Sequence, residues 1–185
     1  MAPRVCPWWI GYFLVTPLRR LWQDPRAILA PYVSEGMTVL EPGPGMGFFT
    51  LELARRVGPA GRVVAVDVQP KMLAALRRRA ERAGLGGRIE TRQADGAELG
   101  VGDLAGRAGF VLAFALVHEL PDAAAFFAQV ARALAPGGRV LLAEPRGHVS
   151  QAAFDETLRH AEAAGLGAVG SPVIRSSRAV LLAGR

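Results

Sequence analysis

Val39-Leu40-Glu41-Pro42-Gly43-Pro44-Gly45-Met46-Gly47 is an apolar strand that ends in an acid and runs into glycines at every second position. Glycine is needed where a chain turns sharply from strand into helix and its backbone lies directly against a ligand. Strand, glycine-rich turn and helix, in that order, form the first half of a nucleotide-binding βαβ unit. The spacing is G-x-G-x-G, and Phe48 stands where the dinucleotide pattern G-x-G-x-x-G has its third glycine. That departure points away from NAD.

The second half of the unit follows at the expected distance. Arg62-Val63-Val64-Ala65-Val66-Asp67 is a nearly continuous β-branched run, as in a parallel strand buried on both faces. An acid in the place of Asp67, at the carboxyl end of the second strand, can accept both hydroxyls of a ribose; the plainer alternative is that it caps the next helix. Between the strands, residues 48–57 read as a helix with Phe49, Leu53 and Val57 on one face, stopped by Gly58-Pro59-Ala60-Gly61.

The ordered set VLEPGPGMGFFT, VVAVDVQPKML, QADGAEL, FVLAFALVHELPD, LAPGGRVLLAEP and a closing hairpin resembles the successive motifs of class I S-adenosylmethionine-dependent methyltransferases, most similar to the compact small-molecule branch. The resemblance runs from residue 37 to residue 185. It implies an α/β fold: a Rossmann-like three-layer sandwich around a seven-stranded, mostly parallel sheet with an antiparallel C-terminal hairpin strand. It implies S-adenosyl-L-methionine as cofactor, bound through Glu41, Gly43, Gly45, Gly47, Asp67, Val68, Asp95, Gly96 and Ala97. A carboxylate at Asp95 suits the exocyclic amine of adenine, although an Asx-type turn explains the same residue.

Beyond Asp67, Pro70 starts a helix with Met72, Leu73 and Leu76 buried, ended by residues 84–87. Strands are predicted over 88–92, 110–114 and 139–143, a helix capped by Ser150 over 150–164, and a hairpin of 168–175 and 178–183. His118 falls at the carboxyl end of the fourth strand, where such sheets bind ligands. It is the candidate catalytic residue, as an acceptor of a proton from a hydroxyl or amine; holding the loop or walling the cofactor is the equal alternative. Glu119, Glu144 and His148 sit where substrate contacts are common in this fold, with Asp122 opening the next helix. The loop lacks the Asn/Asp-Pro-Pro-aromatic signature of amino-methylating nucleic-acid enzymes.

One chain of 185 residues, 51% apolar, fits one methyltransferase domain over 37–185 with an N-terminal aromatic and helical segment over 1–36. The net charge of +6 is carried almost wholly by arginine, Lys71 being the sole lysine, and is scattered along the chain, which argues against nucleic acid as partner. Arg77-Arg78-Arg79 with Arg82 reads as the solvated face of a helix. Cys6 is the single cysteine, so neither an internal disulfide nor a cysteine metal cluster is expected, no metal site is assembled, and the cytoplasm is the expected compartment. The opening stretch is interrupted by Pro7, Gly11 and Pro17 and is too short to span a bilayer. Its aromatic residues, Trp9 and Tyr12 among them, are expected to cover the cofactor site and contact substrate; peripheral contact with a membrane, with Arg19 and Arg20 near headgroups, is the alternative use. A small-molecule acceptor is expected. A macromolecular or lipid acceptor, or a non-catalytic domain that binds the cofactor for regulation, are the competing functions.

Overall fold

A computed structural model describes residues 23–95 and 97–185. Segment 1–22, with Trp9 and Tyr12, and Gly96 lie outside the described residues.

Five strands run parallel: β1 (Thr38–Pro42), β2 (Arg62–Asp67), β3 (Ile89–Gln93), β4 (Ala108–Phe114) and β5 (Leu134–Pro145). The chain closes with β6 (Leu166–Gly170) and β7 (Ser177–Gly184), β7 antiparallel to both β5 and β6. The sheet order is β3-β2-β1-β4-β5-β7-β6. Among the described residues α1 (Pro25–Leu29) precedes β1, and four α-helices lie between strands: α2 (Thr50–Arg56), α3 (Pro70–Arg82), α4 (Ala123–Ala133) and α5 (Gln151–Ala163). The expected seven-stranded fold is the observed one.

Side chains alternate between the two faces of a strand, and helices cover both faces here. Leu40, Val64, Val111 and Leu142 meet Phe127, Val130 and Phe154 from α4 and α5 on one side. Val39, Val63, Phe110 and Leu141 meet Leu29, Leu53 and Ala54 from α1 and α2 on the other. Full burial of a Leu, Val or Phe contributes about 1.5–3 kcal/mol, so this double core is the main source of stability.

Local chemistry sets the helix ends. Asp122 accepts from the Ala125 N–H at 2.8 Å and starts α4; Ser150 accepts from the Ala153 N–H at 3.1 Å and starts α5. Most strand ends shift from the sequence reading, β4 starting at Ala108 and β6 ending at Gly170 among them, and three shifts have a clear local cause. Helix α2 starts at Thr50 because the glycine turns extend through Phe49. Strand β5 starts at Leu134, which pairs with Ala108; residues 135–138 are then carried as a bulge opposite Gly109 before Arg139 pairs with Phe110. Strand β6 starts at Leu166, whose buried side chain and pairing with Gly184 draw it out of the expected helix stop.

The arginine cluster is also less free than its sequence implies. Arg79 donates to the Met46 carbonyl and so ties α3 to the glycine loop, while Arg77 Nε reaches Thr91 Oγ1 at 2.5 Å. Among the described residues no helix is long and apolar enough to cross a membrane.

Candidate active site

In a sheet of this order the direction of chain progression reverses between β1 and β4, and the crevice beyond the carboxyl ends of those strands is the natural ligand site. A cavity of about 710 Å³ lies there. Each of the first, second, fourth and fifth strands sends its last residues into the wall: Glu41 and Pro42, Asp67, Phe114, and Pro145.

The loop after β1 is shaped by backbone that only glycine adopts easily. Gly43 has φ 68° and donates its N–H to the Val66 carbonyl at 2.8 Å, closing the loop over β2. A Cβ on Gly43 would come within 2.8 Å of Leu116 Cδ1, so the β1 and β4 loops touch at this point. Gly47, at φ 85°, is different: a Cβ there would collide with Leu76 on α3, and Gly47 is absent from the cavity wall. Its role is to let the loop lie against α3, behind the site.

Two acids are buried in the wall. Glu41 is 3% exposed, and its Oε2 has no hydrogen-bond partner among the described residues; neither has Thr50 Oγ1. Burial pushes the Glu41 carboxyl up to about 8, with the Asp67 charge adding to the rise. The Thr50 hydroxyl is near enough to oppose that rise, although the aligned bond between the two is not made. Burial likewise pushes Asp67 up to about 6, opposed by backbone N–H groups of Gln69, at 2.9 Å, and of Gly45 and Val68.

A proton held more tightly in the folded than in the unfolded chain stabilises the fold at low pH. Relative to its ordinary value of 4.5, the Glu41 contribution is complete below that pH and is lost as the pH rises through about 8. Asp67 loses its own between 3.8 and about 6. Thermal unfolding of the ligand-free protein should therefore show Glu41→Gln gaining on the wild type as pH rises towards 8, by more than about 1 kcal/mol. A constant difference across that range would refute the buried, unpaired state of Glu41.

A further part of the cavity wall comes from the ends of β4 and β5 and the turn Val117–Glu119. His118 Nδ1 lies 2.6 Å from Glu144 Oε2, and Glu144 Oε1 accepts from the Val117 N–H at 2.7 Å. Glu144 is 1% exposed. Hydrogen bonding to Glu144 holds the His118 imidazole above its ordinary 6.5, with desolvation opposing and Glu119 adding a smaller rise. His118 Nε2 is 3.8 Å from Glu119 Oε1, and the His148 ring lies 6.1 Å from the His118 ring between centroids.

Of the residues expected from sequence, Glu41, Gly43, Gly45, Asp67, Val68, Ala97, His118, Glu119 and His148 all line the one cavity. Two cofactor candidates and one substrate candidate do not. Gly47 faces α3, as described. Asp95 is exposed and bridges Glu98 through main-chain bonds at 3.2 and 3.0 Å, while its neighbours Ala94 and Ala97 form the wall. Glu144, expected against substrate, stands behind His118 instead, because both its oxygens are engaged within the protein.

Sequence reasoning missed the aromatic wall. Phe48 and Phe49 meet edge to face at 5.1 Å, and Phe49 lies 4.4 Å from Phe114. All three line the cavity, with Met46, Met72, Leu116 and Leu120. Phe114 ends β4, so the strand-end rule that selected His118 would have found it; Phe49 was assigned wholly to the helix core. No group of three or more His, Cys, Asp or Glu side chains among the described residues could hold a metal ion.

A family profile described as a methyltransferase domain matches residues 39–138. The ribosomal protein L11 methyltransferase of Pelotomaculum thermopropionicum is 40% identical over 116 residues, which is 63% of this chain and 34% of that protein. The ubiquinone/menaquinone biosynthesis C-methyltransferase UbiE of Idiomarina loihiensis is 35% identical over 127 residues, 69% of this chain and 49% of that one. The chain thus spans about a third to a half of the length of these curated relatives. In fold it is similar to a SAM dependent methyltransferase from Aquifex aeolicus, with a TM-score of 0.86 at 23% identity over 96% of this chain and 98% of that one. The profile match covers the glycine loop, Asp67, His118 and more than half of the chain, and the sheet order is that of the class I S-adenosylmethionine-dependent fold: the chain belongs to the methyltransferase domain family.

Proposed function

We propose that this protein is an S-adenosylmethionine-dependent methyltransferase whose acceptor is a small molecule. The observation that carries the reading is one cavity lined both by two buried acids, Asp67 and a Glu41 with one oxygen unpaired, and by a histidine backed by a buried carboxylate. A cationic ligand rich in hydroxyls and amines favours the ionised forms of Glu41 and Asp67 and relieves their burial cost, whereas a diphosphate would oppose the ionisation of both. The donor chemistry therefore fits S-adenosylmethionine: Asp67 suits the ribose hydroxyls, Glu41 a positively charged group, and the Gly43 and Gly45 backbone leaves room for close approach.

When bound, S-adenosylmethionine supplies a methyl group already activated on a sulfonium centre. The chain's own residues then have three tasks: to hold the acceptor in line, to exclude water and to receive a proton. Phe48, Phe49, Phe114 and Leu116 form the apolar wall for the first two, and His118 is placed for the third. Gln23 lines the same cavity.

A second reading follows from the relative whose name specifies ribosomal protein L11: a protein acceptor. The aromatic wall favours a small, planar molecule over a flexible protein side chain. Methyl-labelled cofactor incubated with the protein and an extract, then separated into metabolite, protein and RNA fractions, decides between them. Label in the metabolite fraction is the expected result. Label confined to protein or RNA would overturn the small-molecule acceptor.

A further inference from the structure

We propose that Glu144 is a positioning residue that fixes His118 as a general base, and that the acceptor is a planar, apolar molecule methylated on a hydroxyl oxygen. The inference rests on the methyl-transfer reading above.

Glu144 is the penultimate residue of β5, one position beyond Ala143, which pairs with Phe114 at the end of β4. From there its side chain reaches the turn that leaves β4. One oxygen holds the Val117 main chain and the other meets the His118 ring. Burying a carboxylate costs several kcal/mol unless its bonds repay it. Holding a turn needs only the first bond, which an asparagine or a serine could make. The second acts on the imidazole alone.

A carboxylate acceptor at Nδ1 requires the proton on that nitrogen, so Nε2 carries the lone pair in the neutral ring. The ring lines the cavity beside Leu116 and Phe114. The titratable groups around it are Glu144 from β5, Glu119 beside it in the turn and His148 after β5. A buried carboxylate behind an imidazole orients the ring and stabilises the imidazolium that forms when it takes a proton.

That device matches one kind of nucleophile. A phenol-like hydroxyl ionises near 10 and is protonated at neutral pH, so its proton has to leave as the new bond forms. An aromatic amine is unprotonated at neutral pH, attacks through its free lone pair and needs no base beforehand. In the step, Nε2 of His118 takes the hydroxyl proton and the acceptor oxygen bonds to the methyl carbon. The carbon–sulfur bond breaks with its electron pair left on sulfur, which becomes a neutral thioether. His118 then returns its proton to solvent. The Phe48–Phe49–Phe114 wall supplies the surface on which a flat ring would rest.

The test reads His118 directly, in the full chain without cofactor, by proton–nitrogen NMR of labelled histidine. The expected neutral form carries its proton on Nδ1, and Glu144→Gln lowers the His118 titration midpoint by about one unit or more. Should that variant fold poorly, Glu144→Asp keeps the charge but draws it back, and gives a smaller drop. A proton on Nε2 in the wild type, or an unchanged midpoint in both variants, overturns the positioning role. For the acceptor class, 1-naphthol and 1-naphthylamine are offered with labelled cofactor. Label on the naphthol, reduced about 10²-fold in Glu144→Gln, supports the proposal; label on the amine, equal in both proteins, overturns it. Failure of the cofactor itself to bind overturns the methyl-transfer reading and leaves the NMR result standing on its own.

Discussion

Replacing His118 with glutamine is expected to lower methyl transfer by about 10²–10⁴-fold, the usual contribution of a positioned general base, while leaving cofactor affinity unchanged. Glutamine keeps a polar group of similar reach but cannot accept a proton. His118 lines the same cavity as Glu41 and Asp67, and the proposed reading gives it the acceptor and them the cofactor. Its imidazole is held above 6.5 by Glu144, so the wild-type rate should climb as pH rises past neutrality and His118 deprotonates. The variant should lose that limb of the profile. Initial rates with labelled cofactor across neutral pH separate this from the plainer role. A small loss confined to substrate affinity, with the pH profile intact, would make His118 a wall of the cavity and nothing more.

Asp67→Ala carries the second large effect. Asp67 is 9% exposed, ends β2 and lines the cavity. Hydrogen bonds to a charged group contribute about 1.5–3 kcal/mol each, so the variant should bind cofactor about ten- to 150-fold more weakly. Because the carboxyl titrates at about 6 in the free protein, the wild type should itself lose affinity below that pH, and the variant should not share the loss. Equilibrium dialysis with labelled cofactor at pH 5 and pH 7.5 measures both. Equal affinity of wild type and variant at the higher pH would remove Asp67 from the site.

The first βαβ unit was legible because its signals are local. A continuous run such as Val63-Val64-Ala65-Val66 has one cheap solution, a parallel strand covered on both faces, and β2 extends one residue beyond that run at each end, as the stretch from Arg62 to Asp67 predicts. Asp122 and Ser150 were legible as caps for the same reason, since the bond each makes spans three residues. What escaped depends on register between distant segments. The sequence carries nothing that places Glu144 behind His118, 26 residues away, until β4 and β5 are paired and Phe114 is set beside Ala143. Gly47 reads as a ligand contact in a glycine-rich loop, yet the residue that requires it is Leu76, on another helix. The start of β5 was hidden because Pro136-Gly137-Gly138 is ordinary turn chemistry, here absorbed as a bulge inside a strand. Asp95 shows the limit of motif order: the residue type matches, but its exposed position puts Ala94 and Ala97 on the wall in its place.

Calorimetry with S-adenosylmethionine, its demethylated product and NAD tests the central claim most directly, because it needs no acceptor. The expected result is one site per chain for the first two ligands, weakened in Asp67→Ala, and no heat with NAD. Tight binding of NAD, or no binding of either sulfur compound, would contradict the assignment of this cavity.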